Sequence, residues 1–262
     1  MGALRAQIFC MEKELYDQII YENGNVRVIY EDNHVICVVK PAGILSQSDA
    51  SDADDMLSIL KNDLAVRKGK PGAAFAGLVH RLDRNTGGTM VFAKTSKGAA
   101  RLSLELRENR FKKCYFALAE GVFDVKTPTI LTDRLEKDEK TNTVRISKNG
   151  KESRLLIKTL AISGKYSLIA ASPITGRTHQ IRAQLANAGH PLAGDTKYGA
   201  GRIDDNFLGL WSSVVEVRHP VRDAKLVFFS TPEYVSRWKT FDEKTYRDAL
   251  PEMEALAESG EK

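Results

Sequence analysis

"AFAGLVHRLDRNTGGTMVFAKT", residues 74–95, sets a short charged turn between two apolar runs. The turn is His80–Gly88, and it holds Arg81, Asp83 and Arg84. Apolar flanks of this kind read as buried strand ends that hold the turn rigid. Gly87 and Gly88 permit positive φ or a close backbone approach beside the acid. Two arginines next to one carboxylate favour its ionised form. A fixed, ionised carboxylate can serve as a nucleophile or stabilise a developing cation, as in glycoside cleavage. The same residues can also form a structural ion pair in a turn, and the turn by itself does not separate the two readings.

A protein kinase is the first comparison that the turn invites, because kinases carry His-Arg-Asp-Leu. "VICVVK" at 35–40 even resembles a strand ending in a catalytic lysine. Here Leu82 precedes Asp83, Pro41 follows Lys40, and neither a glycine-rich phosphate loop nor Asp-Phe-Gly occurs. The five histidines form no pair at metal-ligand spacing, so the pattern implies no metal.

Outward from the turn, strand-like and helix-like segments mix without regular alternation. Ile8, Met11, Leu15 and Ile19 fall at helical spacing and predict a helical N-terminal extension over residues 1–24. "VRVIYE" and "HVICVVK" predict strands. Residues 52–69 predict a helix with Met56, Leu60 and Leu64 on its inner stripe and aspartates at its start. Thr95 or Ser96 opens another, with Ala99, Leu102 and Leu106 inward and Arg101, Arg107 and Arg110 on its back. "CYFALAEG" is a strand, and residues 124–150 read as an exposed hairpin or insertion. "SRLLIKTLAIS", Gly164 and "KYSLIAAS" form a long hairpin. Residues 177–189 predict a helix with Ile181 and Leu185 inward and Gly189 as its stop. "VVEVRHP" and "KLVFFS" are late strands, and the chain ends helical.

This order predicts an α+β fold: a mixed, mainly antiparallel sheet flanked by helices and loops. The expected divisions are the N-terminal extension 1–24, a catalytic domain 25–241, and a C-terminal helix and tail 242–262. A chain of 262 residues, 42% hydrophobic, is long enough for a substantial core. Its net charge of +5 admits a polyanionic partner without requiring one. The three cysteines form no Cys-x-x-Cys pair and read as buried thiols in a reducing cytoplasm. Residues 1–20 contain no apolar run long enough for a signal peptide or membrane span, and a monomer is expected.

Four blocks carry a family resemblance. His80-Arg81-Leu82-Asp83-Arg84-Asn85-Thr86-Gly87-Gly88 resembles the His-Arg-Leu-Asp-x-x-Thr-Ser-Gly signature of RluA-type RNA pseudouridine synthases. "VVKPAGILSQ" at 38–47 resembles that family's Lys-Pro-x-Gly strand end, and "FKKCYFALAEG" at 111–121 its Lys-x-Tyr strand. "TGRTHQIRAQLANAGHPLAGDTKYG" at 175–199 is similar to its longest signature almost throughout. The blocks occur in the family's order. Gly87 departs from the pattern, standing where the family usually has Ser.

The resemblance implies a pseudouridine-synthase catalytic domain with a central RNA-binding cleft. It implies isomerisation of a flipped-out uridine in rRNA or tRNA without metal or cofactor. Asp83 matches the catalytic aspartate, Tyr115 the tyrosine that stacks on the base and takes the C5 proton, and Arg182 the arginine that pairs with the aspartate. Arg81, Arg84, Lys113 and Arg177 are the expected RNA-binding residues, with Lys40 a weaker candidate. Two other classes compete: a non-catalytic RNA-binding module, which need not keep Asp83, Tyr115 and Arg182 together, and a nucleosidase, which would release free uracil.

Overall fold

The computed structural model describes residues 6–9, 18–49, 53–67, 69, 74–201, 203 and 207–260. Among them the chain runs β1 (Ala6–Phe9), β2 (Gln18–Tyr21), β3 (Gly24–Glu31), β4 (Val35–Lys40), α1 (Met56–Arg67), β5 (Gly77–Leu78), β6 (Gly87–Ala93), α2 (Ser96–Arg107), β7 (Lys112–Glu120), β8 (Thr129–Asp138), β9 (Thr143–Ile146), β10 (Lys151–Ser163), β11 (Tyr166–Pro173), α3 (Gln180–Asn187), β12 (Leu210–Arg218), β13 (Lys225–Phe229) and α4 (Glu243–Ser259). Two compact units form: Met1–Lys112 with Ser212–Ser230, and Lys113–Trp211 with Thr231–Lys262.

In the first unit the strand order is β2-β3-β4-β6-β12, with β13 beside β12, β1 beside β13, and β5 on β6. The β2/β3, β3/β4, β4/β6 and β12/β13 ladders are antiparallel, and β1/β13 is parallel. This is the mixed, mainly antiparallel pattern expected from the sequence. β4 and β6 are buried along their whole lengths, which is why both read as unbroken apolar runs rather than alternating ones. Val35, Ile36, Val38 and Val39 are enclosed, and each buried side chain of this kind contributes roughly 1.5–3 kcal/mol. Asp55 accepts a hydrogen bond from Ser58 N at the start of α1, which buries the predicted stripe of Met56, Leu60 and Leu64. Thr95 caps α2 by accepting from Gly98 N at 3.0 Å, so the helix opens on Thr95 rather than Ser96. Of its predicted inner face, Leu102 is fully buried, while Ala99 and Leu106 are only partly so.

The helix expected over residues 1–24 is corrected. Its described parts are strands: β1 pairs with β13, and β2 pairs with β3. Met11 and Leu15 lie outside the described residues. Ile19 is buried and Ile20 is 82% exposed, which is the alternation of a half-covered strand. Pairing with a strand distant in sequence overrides a short, ambiguous helical spacing.

The second unit is an antiparallel sheet in the order β7-β11-β10-β8-β9. The predicted hairpin turning at Gly164 is β10–β11. The polar stretch 124–150 supplies the β8–β9 hairpin, most of whose residues are exposed or half-buried. α3 carries Ile181 and Leu185 inward as expected. Asp242 caps α4 by accepting from Thr245 N at 2.7 Å.

Candidate active site

In the first unit Asp83 lies in the loop from His80 to Thr86, between β5 and β6. Thr86 N donates to Asp83 O at 3.0 Å and closes a turn around it. His80 is buried, and its Nε2 accepts from Val91 N at 3.0 Å, anchoring the loop to β6. Gly88 opens the loop onto the sheet with φ +116°, and a Cβ there would lie 2.2 Å from Ser212 O. Only glycine fits that approach.

A strap of chain after β4, residues 41–46, runs alongside this loop and is laced to it. Ser46 Oγ donates to Leu82 O at 2.7 Å, and Leu82 N donates to Ser46 Oγ at 3.0 Å. Gly43 N donates to Arg84 O at 2.8 Å, and Arg84 Nε donates to Gly43 O at 3.0 Å. The Lys40 ammonium is wholly buried and donates to Pro41 O, Ile44 O and Arg84 O at 2.9, 2.6 and 2.9 Å. Burial brings the Lys40 ammonium down to about 7. The Asp83 charge opposes that shift and the Arg84 charge adds to it. Lys40 is therefore a buried structural cation rather than a surface phosphate contact. Asp83 itself is half-buried, and Arg81 and Arg84 are exposed. A polar pocket of about 290 Å³ opens beside the strap, and Arg84 lines it together with Asn23 and Asp54.

In the second unit Tyr115 sits on β7, opposite Ala171 of β11, and is 6% exposed. Arg182 lies in the first turn of α3 and is nearly buried. Its Nε donates to Asp195 Oδ2 at 2.6 Å and its Nη2 to Asp195 Oδ1 at 2.7 Å, a two-point carboxylate fork. The Tyr198 ring covers the guanidinium, with its centroid 5.0 Å from the central carbon. The Tyr198 hydroxyl accepts from Val144 N of β9 at 2.9 Å and pairs with His179 Nδ1 at 2.9 Å. His179, just before α3, has the left-handed φ of +48° that a side chain rarely adopts.

Lys113 is half-buried on β7, and desolvation brings its ammonium down to about 8. Arg177 is exposed in the loop before α3, where its N donates to Gln180 Oε1 at 3.0 Å. Tyr115, Arg182, Lys113 and Arg177 thus belong to one unit, and Asp83, Arg81 and Arg84 to the other.

Four residues with a part in these arrangements were not singled out from the sequence: Ser46, Asp195, Tyr198 and, in its structural role, Lys40. Asp195 had a signal, being the one carboxylate in the block 175–199. Ser46 had none, because its hydrogen-bond partners on the loop are backbone groups, and the Lys-Pro-x-Gly block marked Lys40 without disclosing its carbonyl partners.

A family model described as RNA pseudouridylate synthase matches residues 34–187. The chain is 36% identical over 203 residues to "Ribosomal large subunit pseudouridine synthase C" of Vibrio parahaemolyticus, covering 75% of this chain and 62% of the relative. It is 35% identical over 212 residues to "Uncharacterized RNA pseudouridine synthase YhcT" of Bacillus subtilis, covering 80% and 69%. The matched region spans less than two thirds of the Vibrio relative's length. Among solved structures, "Human RNA Pseudouridylate Synthase Domain Containing 1" superposes with a TM-score of 0.68 at 21% identity, covering 90% of this chain and 97% of that one. "Human RNA Pseudouridylate Synthase Domain Containing 4" gives 0.64 at 20% identity, covering 79% and 89%. The two superpositions bear out the fold.

Proposed function

Since the chain belongs to the RluA-type family of RNA pseudouridine synthases, we propose that it isomerises a specific uridine to pseudouridine in structured RNA, with Asp83 as the catalytic carboxylate. The observation that carries this reading is the lacing of the Asp83 loop, in which the backbone on both sides of one carboxylate is tied to the neighbouring strap. A fixed carboxylate is what glycosidic cleavage needs. The reaction breaks the C1′–N1 bond, turns the uracil, and joins C5 to C1′. The C5 proton is lost and N1 gains one, so atoms and charge balance without an oxidant or reductant. Asp83 acts by attack on C1′ or by removal of the 2′ hydrogen, and a deuterium isotope effect at C2′ distinguishes the two routes.

Tyr115 stacks on the extruded base and takes the C5 proton. Arg182 takes the part of the arginine that serves the catalytic aspartate, and Asp195 holds its guanidinium by the Nε–Nη2 edge. Arg81, Arg84, Lys113 and Arg177 contact phosphates and offset the cost of extruding the base, a few kcal/mol. The substrate is rRNA or tRNA. Several relatives' names point to ribosomal large-subunit RNA.

The test is a map of pseudouridines in rRNA and tRNA from cells with and without the protein, repeated with Asp83→Asn. One or more sites should vanish without the protein and stay absent with the variant. A wild-type map from Asp83→Asn, or release of free uracil by the purified protein, would refute the reading.

A further inference from the structure

The cavity beside the strap draws its walls from four places in the first unit: Asn23 in the β2–β3 turn, Gly43 and Ile44 of the strap, Asp54 ahead of α1, and Arg84 next to Asp83. Its volume is about 290 Å³. Backbone bonds fix the walls to one another. Gly43 N donates to Arg84 O at 2.8 Å, Leu45 N donates to Asp54 O at 3.2 Å, and Leu45 bridges to Asp55.

Two of the lining side chains meet across 31 residues of sequence: Asn23 Nδ2 donates to Asp54 Oδ2 at 2.7 Å. An ionised carboxylate cannot donate, so the amide nitrogen, and not the amide oxygen, points at Asp54. One Nδ2 hydrogen is used in that bond and the second is left over. Oδ2 keeps a lone pair, and among the described residues Oδ1 has no partner. The pair therefore offers one donor and two acceptors in order: Nδ2–H, Oδ2, Oδ1. Cytosine carries the same order on its pairing edge, where N4–H, N3 and O2 meet O6, N1–H and N2–H of guanine.

Stability does not account for this pair, because the bond is exposed and exchanges with bonds to water at little net gain. A carboxylate also opposes phosphate in a cleft that takes a polyanion, whereas carboxylates do serve at base edges by accepting from amino groups. Asn23 and Asp54 lie outside the four signature blocks, and Asn23 lies outside the matched residues 34–187 as well. Signature residues shared by a family cannot decide which uridine one member selects. Residues beside the site and outside the signature can.

We propose that the Asn23–Asp54 pair reads an unpaired guanine flanking the target uridine, and so helps to select the RNA that is modified. The inference rests on the reading of the chain as an enzyme that isomerises uridine in RNA. Asp54 accepts from N1–H and N2–H of the guanine, and Asn23 donates to its O6. Arg84 lines the same cavity and holds that nucleotide's phosphate. Its Nε is engaged by Gly43 O, so its Nη groups make the contact.

The test uses an in vitro transcript of the RNA whose pseudouridine disappears in cells lacking the protein, with the nucleotides on either side of the target uridine randomised. The full chain reacts with this pool under single-turnover conditions, and the modified molecules are sequenced. Wild type should favour guanine at one flanking position by about 10-fold. Inosine at that position lacks the N2 amino group and should slow wild type by about 5-fold. Asp54→Asn turns one acceptor of the series into a donor. Its guanine preference should fall below about 2-fold, and inosine should then cost it nothing more. Asn23→Ala removes only the donor to O6 and should leave a reduced preference.

A wild-type pool without a guanine preference, an Asp54→Asn pool that keeps it, or indifference of the wild type to inosine overturns the proposal. The inosine measurement needs no variant and decides even if a variant fails to fold. Asp83→Asn on the same pool separates this proposal from the reading beneath it. An inactive Asp83→Asn beside a wild type indifferent to flanking guanine sinks only the guanine site. A pool in which the wild type forms no pseudouridine sinks the enzymatic reading and the guanine site with it.

Discussion

Asp195 meets Arg182 edge-on, with Nε 2.6 Å from one carboxylate oxygen and Nη2 2.7 Å from the other. The Asp195 side chain is 1% exposed, so neither charge is well solvated. Asp195→Asn removes the carboxylate charge from this buried fork. Unfolding free energy should fall by about 3 kcal/mol, within the range for a broken buried pair. Under the role proposed for Arg182, turnover should drop by about 100-fold. Chemical denaturation and single-turnover assays check both, and wild-type values in both would show that the fork is idle.

The Tyr198 hydroxyl joins β9 to the start of α3 through Val144 N and His179 Nδ1. Tyr198→Phe removes both hydrogen bonds and keeps the ring over Arg182. The expected loss is about 1–2 kcal/mol. Tyr198→Leu also removes the ring and should cost a further ~1 kcal/mol through the lost cation–π contact. Equal melting temperatures for the two variants would mean that the ring contributes nothing.

Gly88 has no room for a methyl group, because Ser212 O occupies the space. Gly88→Ala combines a backbone clash with a φ that side chains disfavour. It should lower stability by at least ~3 kcal/mol, or prevent folding outright. Soluble yield and a urea titration decide, and a variant that melts like wild type would contradict the close approach.

Lys113 titrates near 8 in the folded protein because burial disfavours its ammonium, against an ordinary value of 10.5. Between these values the unfolded chain binds more protons than the folded one, so stability from this residue rises with pH across that window. Lys113→Met should lack the rise. Urea unfolding of both proteins at about pH 7 and about pH 10 reads the difference, and an identical pH trend in the two would place the ammonium in solvent.

How much of this was legible in the sequence follows from what each feature pairs with. β4 and β6 were legible because both of their faces are covered, and a doubly covered strand must be apolar throughout. α1 and α3 were legible from stripes that reappear as buried faces. β1 and β2 were not, since four-residue strands carry little pattern and the partner of β1 lies at the other end of the first unit's sequence. Asp83 stood out as a lone acid between two glycine-bearing strand ends. The clamp beneath it did not, because Lys40 binds carbonyl groups, which every residue possesses. Asp195 and Tyr198 lay in plain view inside a quoted block, but only three-dimensional proximity assigns them to Arg182.

The first unit is built from two stretches of chain with the whole of β7–β11 and α3 between them. β6 borders β12, Thr89 Oγ1 lies 2.8 Å from Ser230 Oγ, and Gly88 closes on Ser212. During synthesis on the ribosome, Asp83 therefore emerges long before the strand that completes its surroundings. A nascent chain halted anywhere before residue 212 holds the Asp83 loop in an unfinished sheet. The sheet of the first unit is closed only once β12 has been made and can pair beside β6.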